Sequence, residues 1–170
     1  MNSESFETDL QFAEKLLYNE CGFQFQNLIW NSESANYGAC SFELNNKLIQ
    51  YRVANITPTK IGQFVAIWKR NNQGITAPFD VTDSLDFMII SVRDSENFGQ
   101  FIFPKSVLVS KGIISQNEKG GKRGIRVYAP WDKPENKQAI KTQAWQINYF
   151  VEIRENSPVD FELVKRIFSI

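Results

Sequence analysis

The stretch Leu85–Val92, LDFMIISV, constrains this chain more than any other. It is far shorter than the ~20 apolar residues needed to cross a bilayer. Its Phe, Ile and Val content favours an extended chain. It reads as a buried central strand, joined by a short polar turn to Gly99–Phe103, GQFIF. A strand hidden on both faces demands a layered domain, so the remaining sequence has to supply more strands and covering helices.

Those elements can be found by pattern. Ala39–Leu44 and Lys47–Ala54 form an expected hairpin across Asn45-Asn46, because Asn tolerates positive φ, while Ile49, Tyr51 and Val53 alternate with Gln50 and Arg52. Gln63–Lys69, QFVAIWK, and Ile125–Tyr128 are further strands. A first helix spans Ser5–Cys21, with Phe6, Leu10, Ala13 and Leu17 on one stripe and Gly22 as its stop. Pro104 opens a short helix ending near Gly112. Asp132 is the expected N-cap of a long helix from Pro134 to Ile153, with Ile140, Ala144, Ile147 and Val151 inward. Ser157-Pro158-Val159-Asp160 starts a terminal helix burying Leu163, Val164, Ile167 and Phe168. The expectation is one α+β domain over residues 1–170, a mixed β-sheet flanked by helices, in the order α-β-β-β-β-β-α-β-α-α.

Net charge is zero, but the zero is a cancellation. Residues 1–43 carry −6, residues 44–149 carry +7 and residues 150–170 carry −1. Leu44 to Phe79 contains no acid yet holds Lys47, Arg52, Lys60, Lys69 and Arg70. A second basic cluster comprises Lys105, Lys111, Lys119, Lys122, Arg123 and Arg126. Overall neutrality therefore argues nothing against an anionic partner, because local patches set the field that partner meets. The competing account is that acidic and basic segments pair within the fold.

The chain has no histidine, which excludes Ser-His-Asp and Cys-His catalysis and any His-ligated zinc or haem. Its two cysteines, Cys21 and Cys40, cannot make a four-thiolate site. Neither a GxxxxGK[ST] nor a GxGxxG motif occurs. With no basic start followed by an apolar block, the expectation is a reduced, cytoplasmic protein with no membrane partner and no cofactor.

Between Lys119 and Tyr149, basic residues interleave with aromatics. Gly120-Gly121 and Gly124 let backbone N–H groups approach an anion, and Lys122, Arg123 and Arg126 add charge. Tyr128, Trp131, Trp145 and Tyr149 could offer stacking faces, while Lys137 and Lys141 lie one helical turn apart. Charge that follows phosphates plus aromatic platforms is what sequence-tolerant single-strand binding requires.

Four stretches carry a family resemblance: Thr57–Arg70, Phe98–Lys105, Gly121–Trp131 and Lys141–Gln146. Together, over about residues 10–155, they resemble the MepB family, small bacterial proteins often encoded beside a multidrug efflux pump and its repressor. The resemblance implies a core similar to the PD-(D/E)XK, restriction-endonuclease-like fold, and nucleic-acid interaction as function. Nuclease chemistry would need carboxylates on neighbouring strands to hold Mg²⁺, with a lysine placing water. Gln50-Tyr51-Arg52 imitates that motif without carboxylate or lysine. A second placement uses Asp86 with Gln100-Phe101-Ile102. Glu135-Asn136-Lys137 matches E-x-K but falls at a helix start.

The reading is a non-catalytic protein binding RNA or single-stranded DNA, in preference to duplex DNA, through Lys69, Arg70, Lys119, Lys122, Arg123, Arg126, Trp131, Lys141 and Trp145. Asp86, Gln100 and Glu43 are the residues of any relic metal site. The alternatives are a divergent metal-dependent nuclease, or a ligand- or partner-binding module of a drug-response operon.

Overall fold

The structure, a computed structural model, describes residues 3–170. Its frame is a six-stranded sheet in the order β1-β2-β3-β8-β9-β11. The strands are β1 (Phe25–Trp30), β2 (Cys40–Leu44), β3 (Lys47–Val53), β8 (Phe87–Asp94), β9 (Asn97–Pro104) and β11 (Phe150–Glu152). All neighbours run antiparallel except β3 and β8, which are parallel, so the sheet is mixed as expected. The run around Leu85–Val92 lies at its centre as β8, with Met88, Ile89 and Ile90 fully buried.

Side-chain alternation gives this sheet two different faces. On one, Ile49, Tyr51, Val53, Phe87, Ile89 and Ile102 meet α1 (Ser3–Ala13), its wider continuation Glu14–Tyr18, and α4 (Phe161–Phe168). Phe6, Leu10, Ala13 and Leu17, the expected stripe, are all buried there. On the other, Met88, Ile90, Phe101 and Phe103 meet a second, three-stranded sheet ordered β10-β5-β4. Its strands are β4 (Asn55–Ile56), β5 (Gln63–Ala66) and β10 (Gly124–Val127). Beside it lie α2 (Lys105–Ser110), α3 (Lys137–Gln146) and a small hairpin of β6 (Lys69–Arg70) and β7 (Thr76–Ala77).

The Asn45-Asn46 turn forms as read, both residues taking positive φ (52° and 62°). Several expectations are corrected. Phe25–Trp30, assigned no structure from the sequence, is an edge strand, with a bulge between Gln26 and Ile29 where Asn27 has φ 58°. The expected strand Gln63–Lys69 is split into β5 and β6, and β6 pairs with Thr76–Ala77, for which the sequence suggests no element.

The helix expected over Pro134–Ile153 is shorter, spanning Lys137–Gln146. It starts at Asn136, whose side chain accepts the Ala139 N–H at 2.8 Å, while Asp132 accepts the Ala129 N–H instead. It ends at Gln146, and after one tight turn the chain becomes β11, pairing with β9. Its inward residues are Ala139, Gln143 and Gln146; Ile140, Ala144 and Ile147 are exposed. Only Val151 of the expected stripe is buried, and it is on a strand. The terminal helix begins at Asp160, which caps Leu163 N–H, one turn fraction later than the Ser157-Pro158 signal.

Candidate nucleic-acid interface

Strand β10 alternates Gly124, Ile125, Arg126 and Val127, with Ile125 and Val127 directed into the core. Its partner β5 and the length of α3 rise on either side. Between them is an open cleft of about 610 Å³. Five cations line it, Lys60, Lys111, Lys122, Arg126 and Lys141, and no acidic residue does. These come from four separate parts of the chain, so the fold concentrates charge that the sequence spreads over 82 positions.

Among the described residues none of the five forms an ion pair. Arg126 is steadied by donating from Nη1 to the carbonyls of Gly62 (3.1 Å) and Ile61 (3.3 Å). Gly62 has to be glycine-like, since its φ is +80° and a Cβ would sit 2.7 Å from the Tyr128 ring. Trp145, half-buried, packs on Phe103 at 5.3 Å between centroids, and the Lys111 ammonium stands 5.3 Å from its ring centroid. Tyr128 and Phe64 complete the aromatic lining. The buried Gln146 amide stitches the wall, accepting from Tyr128 N–H (2.9 Å) and donating to Arg126 C=O (3.1 Å).

The expected site residues separate into groups. Lys122, Arg126, Lys141 and Trp145 meet in the cleft. Arg123 points elsewhere, its guanidinium donating to Thr76 C=O at 3.2–3.3 Å. Lys119 is exposed in a turn closed by paired bonds with Gln116, outside the cleft. Trp131, half-buried, packs edge-on against Phe150 at 5.5 Å beside the second core and lies outside the cleft lining. Lys69 and Arg70 lie in a different pocket, neutralised by Asp83 (2.6 Å) and Glu33. That pairing is the acid–base cancellation weighed from composition, as is Arg93 with Asp9 at 2.6 Å. Lys60 and Lys111, not singled out as site residues, belong to the two acid-poor basic segments, which was their one legible signal.

Of the three relic-site residues, Glu43 and Asp86 flank Leu48 from neighbouring strands, and Gln100 lies away from both. Asp86 caps the sheet, accepting Leu48 N–H at 2.8 Å. Gln100 is opposite Ser91, five residues further along β8 and about 16 Å away at strand spacing. It is fully buried, accepting from Tyr18 Oη (2.6 Å) and donating to Ser91 Oγ (3.0 Å). Glu43, on β2, accepts from Asn27 Nδ2 at 3.1 Å. Among the described residues no three acidic or cysteine side chains cluster as a bound metal ion would need. No helix there is long and apolar enough to cross a membrane.

The sequence matches the family model described as MepB-like over residues 31–152. A crystal structure of MepB is similar over 79% of this chain and 89% of that one, at 35% identity and a TM-score of 0.74. A bacterial homing endonuclease, I-Ssp6803I, aligns over 82% of this chain and 86% of its own at 16% identity and a TM-score of 0.48. No curated protein matches the sequence.

Proposed function

The chain belongs to the MepB-like family, and from that premise we propose that it binds single-stranded nucleic acid, RNA or DNA, without cleaving it. The observation that carries this reading is the cleft with five unpaired cations, no acid and a tryptophan in its wall. Backbone phosphates would follow Lys60, Lys111, Lys122, Arg126 and Lys141, while a base lies against Trp145. Shape favours a single strand, whose unstacked bases can reach a recessed ring; a paired duplex hides them. The non-catalytic part is supported by the distance of Gln100 from Asp86 and Glu43 and by the lack, among the described residues, of a third acidic side chain clustered with that pair. The operon setting implied by the family resemblance would make this a nucleic-acid-binding partner of a drug-response system.

The test is binding of a fluorescent oligouridylate and its deoxy counterpart across a salt series. Five neutralised phosphates predict a slope of log affinity on log salt of about −3.5, at roughly −0.7 per contact for a single strand. Replacing Lys122, Arg126 and Lys141 by Ala should flatten it to about −1.4, whereas Arg123→Ala should leave it near the starting value. Equal effects of the triple and the Arg123 variants would sink the cleft assignment. Strand cleavage in Mg²⁺ or Mn²⁺ that vanishes in Asp86→Asn would overturn the non-catalytic part.

A further inference from the structure

A second pocket, of about 470 Å³, opens on the same face of the large sheet, beside β3 and the β6–β7 hairpin. Arg52 forms part of its wall. This side chain is 2% exposed, yet it has no carboxylate partner among the described residues. Its Nη1 donates to Tyr51 C=O at 2.8 Å and weakly to Gln50, and its buried Nε has no partner. A buried charge without a counter-ion is costly in an empty protein. Burial accordingly lowers the Arg52 pKa, but only to about 10, so the group stays cationic at neutral pH.

A second orphan lies in the same pocket: Ser34 Oγ is buried with no hydrogen-bond partner. Ser34 takes a left-handed φ of 54°, an uncommon conformation for a residue that is not Gly, Asn or Asp. Two buried donors without protein partners, Arg52 Nε and Ser34 Oγ, therefore belong to residues of one pocket wall. Around them Lys69 and Arg70 are paired with Asp83 and Glu33, so among the described residues Arg52 is the pocket's one cation without an acidic partner. The walls also carry two indoles, the half-buried Trp68 and Trp30 (41% exposed), and the Gln50 amide.

From these groups we infer that the pocket is a binding site for a nucleotide phosphomonoester, the phosphate held by Arg52 and Ser34 and the base lying against Trp30 or Trp68. A guanidinium and a hydroxyl donate to phosphate oxygens, which carry close to two negative charges near neutral pH. The indoles supply stacking faces that inorganic phosphate would not need. Gln50 offers both a donor and an acceptor to a base edge. The volume suits a small organic ligand. The inference goes beyond the cleft reading and stands without it. The same chemistry could arrive as a free mononucleotide or as the phosphorylated end of a strand.

The experiment is calorimetric titration of the full chain with uridine 5′-monophosphate, uridine and inorganic phosphate. It is repeated with a short 5′-phosphorylated oligonucleotide and its 5′-hydroxyl form in the cleft-neutralised triple variant. The monophosphate should bind at least about tenfold more tightly than either fragment. Binding should fall at least about tenfold in Arg52→Met. That variant removes an uncompensated buried charge, so its melting temperature should hold or rise, which a merely structural arginine would not produce. Trp30→Ala, at an exposed position, should reduce the monophosphate's advantage over phosphate while leaving phosphate binding in place. If only the 5′-phosphorylated oligonucleotide binds, and does so through Arg52, the site takes strand ends. If neither phosphomonoester binds, or if Arg52→Met binds as well as the parent, the inference is overturned.

Discussion

Buried polar residues decide more here than their number suggests. Gln100 sits at the centre of a network under the first helix: Tyr18 Oη to Gln100, Gln100 to Ser91, and Ser91 sharing a 2.6 Å bond with Tyr51 Oη. All four side chains are buried, and each has a partner. Gln100→Leu would leave the Tyr18 hydroxyl buried and unpaired, and it should cost about 1–3 kcal/mol in urea unfolding. Nucleic-acid affinity should be untouched, since the site of substitution faces the opposite core from the cleft. Steric need is equally local at Gly99, where an added Cβ would lie 2.3 Å from the Phe150 ring and 2.6 Å from Val151 C=O. Gly99→Ala therefore has to push β11 away from β9, and a loss of about 1–3 kcal/mol in thermal or urea denaturation is expected. A loss within 0.5 kcal/mol, the range of ordinary surface changes, would show that β11 docks more loosely than its register implies.

Elements were legible in proportion to how locally their signals act. The first helix, the Asn-Asn hairpin and the β8–β9 hairpin are written in periodicity and turn residues, and all three fold accordingly. The edge strand β1 was not, because five of its six residues are exposed and no inward alternation marks them. The helix running to Ile153 failed for a different reason. Residues 147–152 continue an apolar 4-3-4 spacing, but Phe150 and Val151 gain more by completing the sheet beside β9 than by extending an exposed helix. No local rule records that competition. The cleft was half legible: charge density and interleaved aromatics marked Lys122, Arg126, Lys141 and Trp145. Nothing in spacing separates them from Arg123, which β10 turns toward Thr76, or from Trp131, which packs against Phe150 beside the second core.

At the scale of the whole molecule, the core under the first helix holds three buried groups that titrate in the alkaline range. Burial pushes the Cys40 thiol up to about 12 and holds the Tyr18 and Tyr51 phenols well above their ordinary 10.0. Folded protein thus keeps protons that the unfolded chain releases. The stability tied to Cys40 is present in full below its ordinary 9.0 and is lost as pH climbs toward 12; the tyrosines act in the same direction above 10. Arg52 has the opposite sign, its depressed pKa returning stability above about 10, but it is one group against three. Urea midpoints should fall between pH 9 and 11, and Cys40→Ala should make the first part of that fall shallower. A flat profile over that interval would contradict the assignment of these groups to the dry interior.

The bulge at Asn27 has a further consequence, for what happens when many copies of the chain are close together. A sheet ends in two open margins whose free N–H and C=O groups invite another chain to join. Here one margin, β11, is three residues long, and the other, β1, is broken by the bulge and the left-handed Asn27 just where Leu28, Ile29 and Trp30 are exposed. This margin, with three exposed apolar side chains, is therefore also the one whose backbone is bent out of step for strand addition. The bulge leaves side-chain contact available at this margin while hindering the edge-to-edge backbone pairing from which fibrils are built.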